Sequence, residues 1–165
     1  MNARNLTDTT LIQFGKPFDR LFERLQGHIR ARAYDLYNQR APEQGDSVKD
    51  WLDAQAQLVV PVTVEIKEQQ NSIVVYCNLK GTVWREIVVA AADGQLRILG
   101  DRYEERKYSG GTDSIESTTS NTYFYLVLEL PCQLDIEKAG AAMLKNGKLK
   151  LTLPKQRPGG GKKGA

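Results

Sequence analysis

Residues 141–155 read AAMLKNGKLKLTLPK, and this stretch carries the clearest structural pattern in the chain. Leucine occupies every second position of its second half, with lysine or threonine between, at Leu149, Leu151 and Leu153. A period of two is typical of a strand that buries one face and wets the other. The Asn146-Gly147 pair before the leucines is a preferred hairpin dipeptide. The stretch therefore predicts a turn followed by a half-buried strand.

The same alternation recurs upstream, between Val62 and Leu130. Turn dipeptides separate the segments, for example Lys80-Gly81 and Asp93-Gly94. The alternating segments are VTVEIKE (62–68), SIVVYCNL (72–79), REIVVAA (85–91), QLRIL (95–99) and TYFYLVLEL (122–130). Six short strands at this spacing, with no helical pattern between them, predict an antiparallel sandwich or barrel and argue against a parallel α/β fold.

One connection in this region is long and polar. Residues 103–122 read YEERKYSGGTDSIESTTSNT, which exceeds the usual length of a hairpin loop. Two interpretations stay open. The segment is either a mobile loop or an arm with a short strand that pairs with another subunit, anchored by Tyr108 and Ile115.

Residues 1–60 predict a helical region. Apolar residues recur at steps of three and four after Pro17, which suits a first helical turn: Phe18, Leu21, Phe22, Leu25, Ile29, Ala33, Leu36 and Tyr37. They predict a helix over about 17–40. A second helix over about 47–58, capped by Asp46 or Ser47, would direct these residues inward: Val48, Trp51, Leu52, Gln55 and Leu58. Basic residues prevail in the first helix and acidic residues in the second, which favours an antiparallel hairpin.

Charge in the rest of the chain is balanced. Residues 61–155 hold twelve basic and twelve acidic residues, so the predicted sandwich has no electrostatic footprint for nucleic acid. The net charge of +3 comes from the Gly/Lys tail, residues 156–165, for which we expect disorder. No apolar run is long enough for a membrane span, and no secretory signal opens the chain, so we expect a cytoplasmic protein without membrane contact.

The residues needed for catalysis are scarce. His28 is the sole histidine and has no candidate nucleophile beside it, so no catalytic triad is predicted. Cys77 and Cys132 fit no metal spacing. The PGGGKKG run near the end follows no strand and lacks the spacing of a phosphate loop. The sequence predicts a protein that is not an enzyme and that holds no metal or cofactor.

The sandwich region resembles a known family. Its final hairpin is similar to the C-terminal signature of the α-crystallin domain of small heat-shock proteins, through Ala142, Leu144, Asn146, Gly147 and Leu149, with a Pro154-Lys155 exit. YCNLKG, IVVAAADGQLRILGDR and LELPCQLD resemble further family segments in the correct order. The resemblance covers residues 61–155 and implies an immunoglobulin-like antiparallel β-sandwich behind a helical hairpin.

The helical region is similar to a short bacterial helical module of unassigned function. The matching stretches are IRARAYDLYNQR and DWLDAQAQL, through Arg32, Ala33, Tyr34, Leu36, Tyr37, Asp50, Trp51, Leu52 and Ala54. That module implies architecture and no mechanism. From the residues themselves we expect a self-contained helix pair packed through Tyr37, Trp51 and Leu52.

The sequence also departs from the family pattern. Residues 124–127 read FYLV and lack the family's interface arginine, Lys148 stands where a valine is usual, and the C-terminal Ile-x-Ile/Val anchor is missing. Because that anchor builds large assemblies in the family, we expect a dimer and no larger oligomer. Without the anchor, we also expect its groove to stand open.

The resemblance implies an ATP-independent chaperone, a holdase that binds unfolding proteins. Two apolar surfaces are candidates for client binding: the N-terminal stretch and the groove between the strand at 87–89 and the strand at 143–144. Their residues are Leu11, Ile12, Phe14, Phe18, Leu21, Phe22, Ile87, Val89, Met143 and Leu144. Three rival functions remain at this point: an adaptor for one specific protein, a nucleic-acid-associated protein and, least favoured, a hydrolase.

Overall fold

The computed structural model describes residues 10–40, 46–80, 83–109 and 115–156, with the side chains of 105–119 excepted. Within these ranges the chain forms two α-helices, eight strands and a short 3-10 helix, Ile136–Lys138. In chain order the α-helices and strands are β1 (Leu11–Phe14), α1 (Pro17–Gln39), α2 (Ser47–Leu58), β2 (Thr63–Glu68), β3 (Ser72–Asn78), β4 (Glu86–Ala92), β5 (Gln95–Ser109), β6 (Ile115–Glu129), β7 (Gly140–Met143) and β8 (Lys148–Pro154).

The strands form two four-stranded sheets that pack face to face. Sheet A has the order β1-β4-β5-β6 and sheet B the order β2-β3-β8-β7. Every strand pair is antiparallel except β1 with β4. The inner faces bury the alternating residues that the sequence analysis grouped, including Leu149, Leu151 and Leu153. The predicted sandwich behind a helical hairpin is confirmed.

Strand β5 passes close beneath an aromatic ring of the core. Gly100 pairs with Phe124 across β5 and β6, and the Phe124 ring covers the glycine. A Cβ atom on Gly100 would lie 2.3 Å from Cε2 of that ring. Trp84 meets the same ring edge-on, with 4.8 Å between ring centroids. Only glycine fits beneath Phe124 in this arrangement.

Helix α1 covers the outer face of sheet A. Val88, Leu99 and Tyr123 are buried there against the apolar stripe of the helix. The expectation of one wet face per strand is therefore wrong for β4 and β5. The sequence does indicate that β4 is covered on both faces. Its residues from Ile87 to Ala92 are all apolar, and a strand that is buried on both faces has no apolar–polar alternation.

The long polar connection is a continuation of two strands. Strand β5 runs to Ser109 and β6 begins at Ile115, and the two pair without interruption from Gln95↔Glu129 to Ser109↔Ile115. The loop interpretation of 103–122 is wrong for the described residues. Pairing between the two strands satisfies the backbone of this polar stretch, which does not need an apolar face to form a ladder.

The predicted inward face of α2 is only partly confirmed. Trp51 and Leu58 pack against the apolar cluster, but Val48, Leu52 and Gln55 are exposed, and the buried positions are Asp50 and Ala54. Arg40, just after α1, donates to Asp50 of α2, with Nη2 2.8 Å from Oδ2, so the face of α2 that is turned inward carries a charged contact. Asp46 caps the helix by accepting from the Lys49 backbone N–H at 2.8 Å.

The expected self-contained helix pair is also wrong. Tyr37 and Leu52 are exposed, and the apolar stripe of α1 packs on sheet A as well as on α2 in one shared cluster. The tail from residue 157 onward lies outside the described residues, as does the turn around Gly81.

Candidate functional site

The groove beside β4 already holds a segment of the chain. Strand β1 pairs in parallel with β4, with Ile12 opposite Ile87 and Phe14 opposite Val89. The backbone N–H of Gly15 donates to the Val89 carbonyl at 2.8 Å. The prediction of an open groove is wrong, because the chain's own N-terminal strand occupies the edge of β4.

The predicted groove residues differ in their burial. Ile87 and Val89 are buried in the sandwich core, and Ile12 and Phe14 of β1 are partly buried against the same cluster. Met143 at the end of β7 is exposed, and Leu144 is half-buried. Leu11 also faces outward. In this arrangement, Leu11 and Met143 are the exposed parts of the groove.

The N-terminal apolar stripe is likewise covered. Phe18 and Leu21, which the sequence analysis assigned to a client-binding surface, are buried between α1 and sheet A. Phe22 stacks on Phe18, and its ring centroid lies 5.4 Å from that of Tyr125 on β6. Residues of sheet A cover this part of the stripe. As client-binding residues, Phe18, Leu21 and Phe22 stay a prediction.

A row of polar side chains crosses the outer face of sheet A under the helix. Glu86 of β4 pairs with Asp101 of β5, which in turn pairs with Tyr123 of β6, so the three side chains lie on one face in one line. We call this set the polar row. Asp101 is fully buried, and Glu86 is nearly so.

Helix α1 places one side chain on each member of the polar row. Arg20 Nη2 donates to Glu86 Oε2 at 3.0 Å, and Arg24 Nη1 donates to Asp101 Oδ2 at 2.9 Å. His28 Nδ1 lies 2.5 Å from the Tyr123 hydroxyl oxygen. These three side chains recur every four residues, about 6 Å along a helix, against a spacing of about 4.8 Å between strands. The match lets a straight helix cross three successive strands and contact each.

The centre of this arrangement is the carboxylate of Asp101. Arg85, just before β4, donates to the same Oδ2 atom as Arg24, and this hydrogen bond raises the pKa of Arg85. Arg24 is about one-third exposed while Asp101 has no exposed side-chain surface. A buried carboxylate depends on such partners, because losing one leaves it poorly compensated.

The ring of His28 is held neutral. Burial, followed by the positive charge of Arg24, lowers the pKa of His28 from 6.5, with a smaller contribution from Arg85 and an opposing one from Asp101. Burial likewise raises the pKa of Tyr123 to about 12, so its hydroxyl stays protonated. The docked helix thus favours an uncharged pair at this end of the row.

We expect docking of α1 to weaken in acid. Because the docked His28 has a lowered pKa, its contribution to docking is complete above pH 6.5 and decreases as pH falls from 6.5 through that lowered value. Hydrogen exchange of the α1 amides, corrected for intrinsic rates, should show more frequent opening at about pH 5 than at about pH 7.5. The His28→Gln variant should lose most of this difference. An equal pH dependence in both proteins would contradict the assignment.

No group of three metal-binding side chains occurs in the described residues. Burial raises the pKa of the Cys77 thiol to about 12, so it stays protonated and unreactive. No described helix is long and apolar enough to cross a membrane.

The polar row was missed at the sequence level, although part of its signal was present. Arg20, Arg24 and His28 recur at steps of four beside the apolar stripe, which marks a second functional face on one helix. Their partners could not be predicted, because the register that aligns Glu86 with Asp101 is a property of the folded sheet.

The predicted signature residues build the last hairpin. Gly147 has a φ of +85°, which glycine adopts readily, and Lys148 N–H donates to the Asn146 side-chain oxygen at 3.0 Å. Ala142 lies on β7 opposite Lys150, and Leu149 is buried in the core. Their visible role is therefore structural.

Comparison with known proteins supports this architecture. The model of the Hsp20/alpha crystallin family matches residues 65–164. The chain belongs to the Hsp20/alpha crystallin family. The matched residues begin within β2, and β1 and the two helices lie before them.

Solved structures of heat-shock proteins are similar to this chain. HspA from Xanthomonas axonopodis is 32% identical, with 58% of this chain and 93% of that one covered and a TM-score of 0.40. A small heat-shock protein from Xylella fastidiosa is 25% identical, with 60% and 89% covered and a TM-score of 0.41. Heat shock protein 16.0 from Schizosaccharomyces pombe is 25% identical, with 58% and 74% covered and a TM-score of 0.42. A comparison with curated proteins finds no match.

Proposed function

We propose that this protein is an ATP-independent holdase of the cytoplasm that binds unfolding proteins through apolar surface. Family membership is the observation that carries the proposal, because members of the Hsp20/alpha crystallin family generally self-associate and bind unfolded proteins. Holding a client needs no chemistry. Burial of apolar surface is worth about 25 cal/mol per Å² and has no directional demand, so one surface can serve many clients.

Two sets of side chains provide that surface in the proposal. Leu11, Met143 and Leu144 are at least partly accessible with the N-terminal segment in place. The second set becomes available when β1 and α1 leave sheet A, and consists of Ile12, Phe14, Phe18, Leu21, Phe22, Ile87 and Val89. A connection of two residues, Gly15 and Lys16, joins β1 to α1. We therefore expect the strand and the helix to detach together.

We further propose that the long β5–β6 hairpin joins two subunits into a dimer. Strand β4 pairs with β5 only as far as Asp101, so residues 102–109 pair with β6 alone among the described strands. A two-stranded ribbon is marginally stable in water by itself. A second copy would give this arm a packing partner, with Tyr108 and Ile115 as the proposed contacts.

The test is light scattering from a heat-aggregating model protein with and without this chain, with ATP omitted. We expect near-stoichiometric amounts of the chain to suppress scattering, while an unrelated protein at the same concentration does not. The mass of the chain, measured in parallel, should be that of a dimer. Undiminished scattering together with a monomeric mass would reject the holdase and favour an adaptor for one partner.

A further inference from the structure

The outer face of sheet A carries buried carboxylates directly beside an apolar surface. Beside the polar row lies an apolar row formed by Val88, Leu99 and Tyr125, which pair in line across β4, β5 and β6. Two carboxylates therefore border an apolar strip, and α1 covers both in this structure.

Helix α1 matches this face in both respects. Its apolar residues Phe18, Leu21 and Leu25 cover the apolar row, and the arginines one turn apart contact the carboxylates. We propose that the outer face of sheet A is a binding surface for cationic amphipathic segments of other proteins, and that α1 occupies it as a built-in competitor. The proposal deepens the proposed function and rests on it, since it names the class of client segment.

Charge would supply the selectivity. An apolar segment without a cation would cover Asp101 and leave Arg85 as its ion-pair partner among the described residues. Removing one partner from a buried carboxylate is costly, so such a segment would be disfavoured. A segment with arginine or lysine beside its apolar residues restores the interaction that Arg24 makes.

The covalent attachment of α1 to the same chain explains why this helix, and not a client segment, occupies the outer face of sheet A in this structure. A helix attached to the same chain acts at an effective concentration in the millimolar range, so a free segment competes poorly while α1 is intact. Warming or mild acid that loosens α1 would give clients access to the surface.

The experiment uses a fluorescent peptide with the sequence of residues 17–29, PFDRLFERLQGHI, and the full-length chain carrying Leu21→Asp to displace its own helix. Fluorescence anisotropy should show that the Leu21→Asp chain binds the peptide and that the unaltered chain binds it far more weakly. A peptide with Arg20→Gln and Arg24→Gln should bind the same chain about tenfold more weakly or worse. Added salt should reduce this difference.

Acceptor variants make the test specific. The additional substitutions Glu86→Gln and Asp101→Asn in the Leu21→Asp chain should together abolish the preference for the arginine peptide, because they remove the partners of both arginines. If Leu21→Asp does not fold, as judged by the signal of the buried Trp84, Leu21→Ala replaces it. Equal affinity for both peptides, or no binding to a chain whose α1 amides exchange freely, would overturn the proposal. Binding is measured without an aggregating client, so failed client protection with intact peptide selectivity would reject the holdase alone.

Discussion

Substitution of Gly100 by alanine will destabilise the sandwich more than any surface change in the same sheet. The new Cβ would lie 2.3 Å from the ring of Phe124, which is fully buried and also contacts Trp84, so the ring has no free space to enter. Overpacking of this kind typically costs about 1–3 kcal/mol. Chemical denaturation of the purified variant should show a midpoint shift of that size.

Gly27→Ala is the matched control. Gly27 lies within α1, and an added Cβ would meet nothing within 4 Å. Replacing a helical glycine by alanine stabilises a helix by about 1 kcal/mol, so the same chemical change should have the opposite sign there. Adding Phe124→Leu to Gly100→Ala should recover part of the loss. Unchanged stability in Gly100→Ala would contradict the close approach of β5 and the ring.

We expect leucine-to-alanine substitutions in the two apolar clusters of the molecule to have different consequences. Leu21 and Leu151 are both fully buried, the first between α1 and sheet A and the second between the two sheets. Either leucine-to-alanine substitution should destabilise the packing around it by about 2–5 kcal/mol. We expect Leu21→Ala to weaken α1 docking, and Leu151→Ala to lower the free energy of unfolding of the whole sandwich.

Hydrogen exchange distinguishes the two outcomes. In Leu21→Ala, amides of α1 should exchange faster while those of β3 and β8 keep their protection. In Leu151→Ala, the strands should lose protection as well. Client protection well below the melting temperature should increase in Leu21→Ala and not in Leu151→Ala. Equal loss of protection throughout both variants would show that the helix and the sandwich unfold as one unit.

The strands and the fold could be predicted from the sequence because a half-buried strand has an apolar residue at every second position. Leu149, Leu151 and Leu153 show that period most clearly, and sheet B follows it. Strand β4 shows where the rule fails. Its run from Ile87 to Ala92 has no alternation, since α1 covers one face and sheet B lies behind the other.

The candidate site was only partly predictable. The sequence analysis selected Ile12, Phe14 and the groove strand at Ile87 and Val89 as separate apolar surfaces. The structure brings them together as neighbouring strands of one sheet. Nothing in a short stretch such as LIQF indicates which sheet edge it joins, because pairing depends on an edge formed far along the chain.

The sequence by itself determined the β-sandwich, the helical hairpin before it and the family, because hydrophobic period, turn dipeptides and the ordered family segments are all local patterns. Tertiary structure alone decided what covers the apolar surfaces. The register of β4, β5 and β6 aligns Glu86, Asp101 and Tyr123 in one row, and a helix with a polar side chain at every fourth residue fits that row. Such a match joins residues up to 95 positions apart, and only the folded sheet creates it.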